Sequence, residues 1–246
     1  MLLDALIFQP DSSVPDPPPG VTERWITTKD KVRLHAWYAA RRGARPTLVW
    51  SHGNGGNIAG RADVLLALAA RGFNVLAYDY RGYGKSAGRP HEAGVYLDAQ
   101  AAYDSERRRG VPATRIICFG ESLGGVVSIH LASVRPCAGV AVVSTFTSMR
   151  DVARHHFGRL SFVVGRQFDA LARIRDLTVP IFIAHGDCDE IVPFELGERL
   201  FAVVNQTKRF FRAEGAHHND VFASQGLIDA IAEFAHAATA DASSVR

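Results

Sequence analysis

The residues Gly120-Glu121-Ser122-Leu123-Gly124-Gly125 stand between an apolar run at 116–119 and a helix-forming stretch. Gly-x-Ser-x-Gly between a strand and a helix is the pattern of a nucleophile elbow. The serine sits on a tight, strained turn, and the flanking glycines let neighbouring backbone pass without a clash. The helix that follows points its N-terminus at the hydroxyl, where it favours developing negative charge. Ser122 is therefore expected to be a nucleophile for acyl transfer.

A serine hydroxyl is weakly nucleophilic at neutral pH and needs a base. The segment Gly215-Ala216-His217-His218-Asn219-Asp220 lies between a final apolar run and a final helical stretch. Either histidine could serve, and His218 is preferred over His217. The base in turn needs a carboxylate to fix its tautomer. Three acids, Asp187, Asp189 and Glu190, follow the apolar run at 181–185. Asp189 is preferred, with Asp187 expected to bond to its own turn. The order Ser, Asp, His is the one expected where the serine stands on a nucleophile elbow. An oxyanion needs two donors. Leu123 N–H, directly after the nucleophile, is one. The glycine-rich loop His52-Gly53-Asn54-Gly55-Gly56-Asn57 offers the second, with Asn54 as the favoured donor and His52 as a brace. That loop lacks a following Gly-Lys-Ser/Thr and the Gly-x-Gly-x-x-Gly spacing, so a phosphate loop is rejected.

The elements that must position these residues follow from periodicity. Residues 22–28 and 33–39 alternate around a turn at 29–31 and predict an antiparallel hairpin. Apolar runs at 47–51, 74–79, 116–119, 139–144 and 181–185 alternate with helical stretches near 58–71, 92–109, 123–134 and within 148–175. A helix starting after Val192-Pro193, a strand near 208–213 and a helix near 221–238 complete the pattern. Continuous apolar strands separated by helices predict an α/β fold: a mostly parallel sheet covered on both faces. Its ligand site belongs at the carboxyl ends of the strands.

The motifs LVWSHGNGGN, NVLAYDYRGYGKSAG, CFGESLGG, IAHGDCDEIVP and GAHHND occur in the order of the α/β-hydrolase superfamily, which the chain resembles over residues 20–238. More narrowly, the set is similar to the small serine hydrolases that include bacterial esterases and protein depalmitoylase-like proteins. The resemblance implies Ser122, Asp189 and His218 as a triad. Its base histidine directly precedes an Asn-Asp pair, which supports His218, and its acid stands in an HGxxD pattern, which supports Asp189. It also implies that Asp79 and Arg81 belong to a structural turn, with substrate contact by Tyr83 as the alternative.

Residues 1–20 are expected to form an extended N-terminal arm, because residues 10–20 carry five prolines. Residues 21–240 would form the hydrolase domain, with a short lid at about 145–178. Lid residues Met149 and Phe157, together with Ile191, are the expected substrate contacts, and Phe162, Val163, Val164 and Phe168 are divided between lid and core. A short lid predicts an open pocket and a small-to-medium acyl substrate.

Composition bounds the remaining classes. The chain has 246 residues, 47% of them hydrophobic, enough for one domain with a sizeable core. A net charge of +3 is too small for a nucleic-acid partner. The run Arg107-Arg108-Arg109 closes a predicted helix, where cations favour the dipole. Three widely spaced cysteines form no CxxC pair, so no metal site, cofactor or disulfide framework is expected, and the usage fits the cytoplasm. Adjacent His155 and His156 diverge on a helix and do not suit one ion. The apolar run at 1–8 is broken by Asp4 and too short to span a bilayer. The function expected is a serine hydrolase of carboxylic esters. The alternatives are a thioesterase, a peptidase of the same fold or a non-catalytic binding module. Oligomeric state is not encoded legibly.

Overall fold

The computed structural model describes residues 7–40, 43, 45–158 and 167–244. Its strands are β1 (Gln9–Pro10), β2 (Val21–Thr27), β3 (Arg33–Ala39), β4 (Thr47–Ser51), β5 (Gly55–Gly56), β6 (Asn74–Tyr78), β7 (Ile116–Glu121), β8 (Gly139–Val143), β9 (Ile181–Gly186) and β10 (Lys208–Ala213). Its helices are α1 (Ala62–Ala70), α2 (Glu92–Arg108), α3 (Leu123–Val134), α4 (Met149–Phe157), α5 (Ala170–Ile174), α6 (Phe194–Val203) and α7 (Leu227–Ser244).

Eight strands form one sheet in the order β10-β9-β8-β7-β4-β6-β3-β2. The β2–β3 hairpin and the β3–β6 pair are antiparallel, and every other pair is parallel. The central strands are apolar throughout because alternate residues enter opposite cores. Trp50, Phe119, Val143 and Phe182 pack beneath α1 and α7, whereas Val49, Cys118, Val142 and Ile183 pack beneath α2, α3 and α6.

The largest boundary differences from the sequence expectation lie in the first and last helices, and the last runs on to Ser244 instead of ending near 238. Residues 58–61 form a 3-10 turn before α1, capped by the Asn57 side chain. The last helix begins at Leu227, because Gly226 takes φ +82° and interrupts an α-helix that the periodicity started near 221. The lid region contributes α4 and α5; Phe162, Val163 and Val164 lie outside the described residues. Phe168 is fully buried, edge-on to Phe8 and Tyr96, and so belongs to the core.

Residues 8–13 run along the body of the domain and are not free. Strand β1 pairs with β5, and Phe8 is buried against Tyr83 and Phe168.

Candidate active site

Ser122 closes the tight turn between β7 and α3 with φ +50° and ψ −120°, a backbone conformation that costs a non-glycine residue energy and persists only where its surroundings enforce it. The surroundings here are dense. The Ser122 N–H donates to Val143 O at 2.9 Å, and Thr145 Oγ1 donates to Ser122 O at 2.8 Å. The glycines are sterically required. A Cβ at Gly120 would strike the Gly124 carbonyl, one at Gly124 would strike the Ser51 carbonyl, and one at Gly125 would lie 2.5 Å from Thr145.

His218 reaches this turn from the loop after β10. Its Nε2 is 3.1 Å from Ser122 Oγ and its Nδ1 is 2.7 Å from Asp189 Oδ2. The tautomer with the proton on Nδ1 donates to Asp189 and leaves Nε2 to accept from the hydroxyl. Asp189 comes from the loop after β9 and is buried. Its Oδ1 accepts from the N–H groups of Val192 at 2.7 Å and Ile191 at 3.0 Å. Burial alone would raise its pKa, but hydrogen bonds from His185, His218 and Val192 outweigh that cost and hold the carboxyl below the usual range.

The competing groups are placed elsewhere. His217 is exposed and pairs with Glu190 at 3.0 Å, which raises the imidazole pKa. Asp187 bonds the neighbouring Cys188 side chain and also reaches beyond its own turn. It accepts from Gly215 N–H at 2.7 Å and pairs with Arg212 at 2.9 Å, tying the β9 loop to the β10 loop.

The loop after β4 faces the elbow. Glu121 Oε1 accepts from Gly53 N–H at 2.8 Å and from Arg61 Nε at 2.7 Å. Arg61 Nη1 donates in turn to Gly55 O at 2.7 Å and Asn57 O at 3.1 Å. The Asn54 side chain donates to Ile7 O and accepts from Tyr83 Oη at 2.9 Å. His52 is buried, and its Nδ1 donates to Gly53 O at 2.6 Å. Burial, aided by the Arg61 charge, pushes the His52 pKa down to about 4.

The turn after β6 is a structural network. Asp79 bonds His35 at 2.9 Å and the Ile58 N–H at 2.9 Å, while Arg81 pairs with Asp98 and Asp30. Tyr83 is fully buried against the Asn54 loop.

A half-open cavity of about 720 Å³ lies over Ser122 and His218. Met149 and Ile191 line it. Phe157 does not: it is 65% exposed at the end of α4. Eight residues beyond Met149 it lies about 12 Å further along the helix, rotated about 80°. Val152, one turn from Met149, takes the lining position, with Phe146, Val221 and Phe222 completing the apolar wall. Arg61, Glu121 and Gln9 form the polar end; of these only Glu121 carried a sequence signal, by standing inside the elbow motif. His156 Nε2 lies 2.8 Å from Ile191 O and ties α4 to the Asp189 loop. Among the described residues no cluster could hold a metal ion.

The family model described as serine aminopeptidase, S33, matches residues 42–171. The chain is 37% identical over 216 residues to the uncharacterized Mycobacterium tuberculosis protein Rv2307c, covering 85% of this chain and 77% of that one. It is 29% identical over 229 residues to Escherichia coli YfhR, covering 89% and 81%. The Pyrococcus furiosus esterase Pf2001 has a similar fold, with a TM-score of 0.77 at 22% identity over 94% of this chain and 98% of that one. The chain belongs to the α/β-hydrolase superfamily, within the family described as serine aminopeptidase, S33.

Proposed function

We propose that this hydrolase cleaves carboxylic esters of small-to-medium acyl groups through a covalent acyl-enzyme on Ser122. The observation that carries the reading is the continuous chain from Ser122 through His218 to buried Asp189, opening into the cavity. His218 Nε2 takes the Ser122 proton as Oγ bonds to the substrate carbonyl carbon. Asp189 stays ionised and stabilises the imidazolium. The Gly53 N–H is occupied by Glu121, so the loop presents the next one, Asn54 N–H, to the oxyanion beside Leu123 N–H. His218 then gives its proton to the leaving oxygen as the carbonyl C–O bond breaks. Water, deprotonated by His218, releases the acid and restores Ser122.

The family description raises a peptidase reading, and the subgroup resemblance a thioesterase one. Ester chemistry is favoured by the polar end of the cavity. Among the described lining residues the formally charged side chains are Arg61 and Glu121, which pair at 2.7 Å. Glu121 is the one carboxylate among the described lining residues, and its charge is already balanced by Arg61, which disfavours capture of the free α-ammonium of an aminopeptidase substrate. The free cysteines Cys118, Cys137 and Cys188 favour action in the cytoplasm. Assays of matched butyrate oxygen-ester, thioester and amide, with Ser122→Ala beside the wild type, test the assignment. The ester is expected to be cleaved with the highest kcat/KM, and Ser122→Ala to be inactive. A preference for the amide would overturn the ester reading.

A further inference from the structure

Residues 7–13 are bonded to the loop that carries Asn54. Ile7 O accepts from Asn54 Nδ2. The Gln9 N–H donates to Tyr83 Oη at 3.2 Å, and that hydroxyl donates to Asn54 Oδ1 at 2.9 Å. Both polar atoms of the Asn54 side chain are thus fixed by the segment, one directly and one through Tyr83. Further along, Asp11 N–H donates to Gly56 O at 3.2 Å, and Asn57 Nδ2 donates to Asp11 O at 3.1 Å and Ser13 O at 2.8 Å. Strand β1 runs parallel to Gly55–Gly56. Phe8, buried between Tyr83 and Phe168, anchors residues 7–13 in the core. Gln9 lines the cavity that contains Ser122.

A loop of this kind, with two consecutive glycines and a third before Asn54, has many accessible conformations when unsupported. An oxyanion donor is useful only when held within a few tenths of an ångström of the developing charge. The loop's own sequence does not provide that rigidity. The opposite side is held by Glu121 and Arg61, and the near side by residues 7–13.

We propose that residues 7–13 are positioning residues of the catalytic centre. Docked through Phe8, they set the orientation of the Asn54 peptide N–H toward the oxyanion, and Gln9 forms part of the substrate-facing wall. The segment acts through Asn54 and does not touch the reacting atoms. This rests on the serine-hydrolase reading above.

The test uses the full chain and p-nitrophenyl butyrate. Phe8→Ala loosens the anchor, and Asn54→Ala keeps the main-chain N–H while removing both side-chain ties. Leu177→Ala, in the same core but remote from the loop, controls for lost stability. Phe8→Ala and Asn54→Ala are each expected to lower kcat by about 10- to 100-fold with KM changed less than about threefold. The double variant is expected to lose no more than the worse single variant, because both act on one donor. Leu177→Ala is expected to lower Tm while keeping kcat. Wild-type kcat in folded Phe8→Ala or in Asn54→Ala would overturn the proposal, as would fully additive losses, or an equal kcat loss in Leu177→Ala. A wild type whose activity survives Ser122→Ala would instead overturn the underlying reading, so the two failures are distinguishable.

Discussion

Glu121 and Gly53, 68 residues apart, are joined by a 2.8 Å hydrogen bond from the Gly53 N–H to Glu121 Oε1. The residue just before Ser122 thus holds the loop that carries the proposed oxyanion donor, and it recruits Arg61 to hold the same loop at Gly55 and Asn57. The two halves of the proposed oxyanion site are fixed to each other by one carboxylate.

Glu121→Ala removes the acceptor and leaves Arg61 without its counter-charge. It is expected to lower kcat by about 10- to 100-fold with a small change in KM. Glu121→Gln keeps an oxygen for Gly53 and is expected to retain more activity than Glu121→Ala. Steady-state kinetics of the two variants check this; wild-type kcat in Glu121→Ala would show that the loop is held without it.

His185 is a second imidazole on Asp189. It is fully buried, and its Nε2 faces Val192 O at 2.9 Å and Asp189 Oδ2 at 3.3 Å, both acceptors, so Nε2 carries a proton. Its hydrogen bond helps to hold the Asp189 pKa low. Removing it in His185→Leu leaves Asp189 with one donor fewer and less firmly oriented toward His218. The variant is expected to lose kcat with little change in KM, and His185→Gln, which restores a donor at the same reach, to recover part of it. Wild-type kcat in a folded His185→Leu variant would assign His185 to packing alone.

Much of this site was legible in the sequence. Runs of apolar residues marked the strands, and the strand–turn–helix context singled out Ser122. His218 and Asp189 were separable from His217 and Asp187 by motif position, and the structure brings the first pair together with Ser122. Periodicity reports which face of an element is apolar, but it does not report which loops converge. The ties from Asn54 to Ile7 and from Glu121 to Gly53 span 47 and 68 residues and exist only through tertiary packing. Phe157 was misplaced for a related reason: an aromatic on a lid helix is as apolar at the far end as at the near one, and the helix axis decides which end meets the cavity.

One buried and one half-buried histidine make stability depend on acid. Burial pushes the pKa of His52, and of His130 stacked on Tyr96, from 6.5 down to about 4. Both are neutral in the folded chain at pH values where the unfolded chain protonates them. The unfolded state therefore binds more protons between about pH 6.5 and pH 4, and stability falls as the pH drops through that window. His130→Phe keeps the ring stack and removes one titration. Because His130 is partly open to solvent, which screens the shift, the fall is expected to flatten by only about 1–2 kcal/mol in denaturant titrations at pH 7 and pH 4. An unchanged slope would show that His130 does not contribute to it.

Val152 lies on the apolar wall of the cavity, one turn along α4 from Met149. Val152→Trp fills that wall. It is expected to lower kcat/KM for an octanoate ester by about tenfold or more relative to an acetate ester, since each methylene in an apolar pocket carries about 1 kcal/mol or more of discrimination. Ester chain-length series of both proteins measure it, and parallel profiles would place the acyl chain elsewhere in the cavity.

The central claim is that His218, oriented by Asp189, activates Ser122. Labelling with a fluorophosphonate probe tests it most directly, with wild type, Ser122→Ala and His218→Ala measured side by side. The wild type is expected to label rapidly, Ser122→Ala to lose all label, and His218→Ala to label slower by about 10³-fold or more. Undiminished labelling of Ser122→Ala, or a folded wild type that takes no label, would contradict the account.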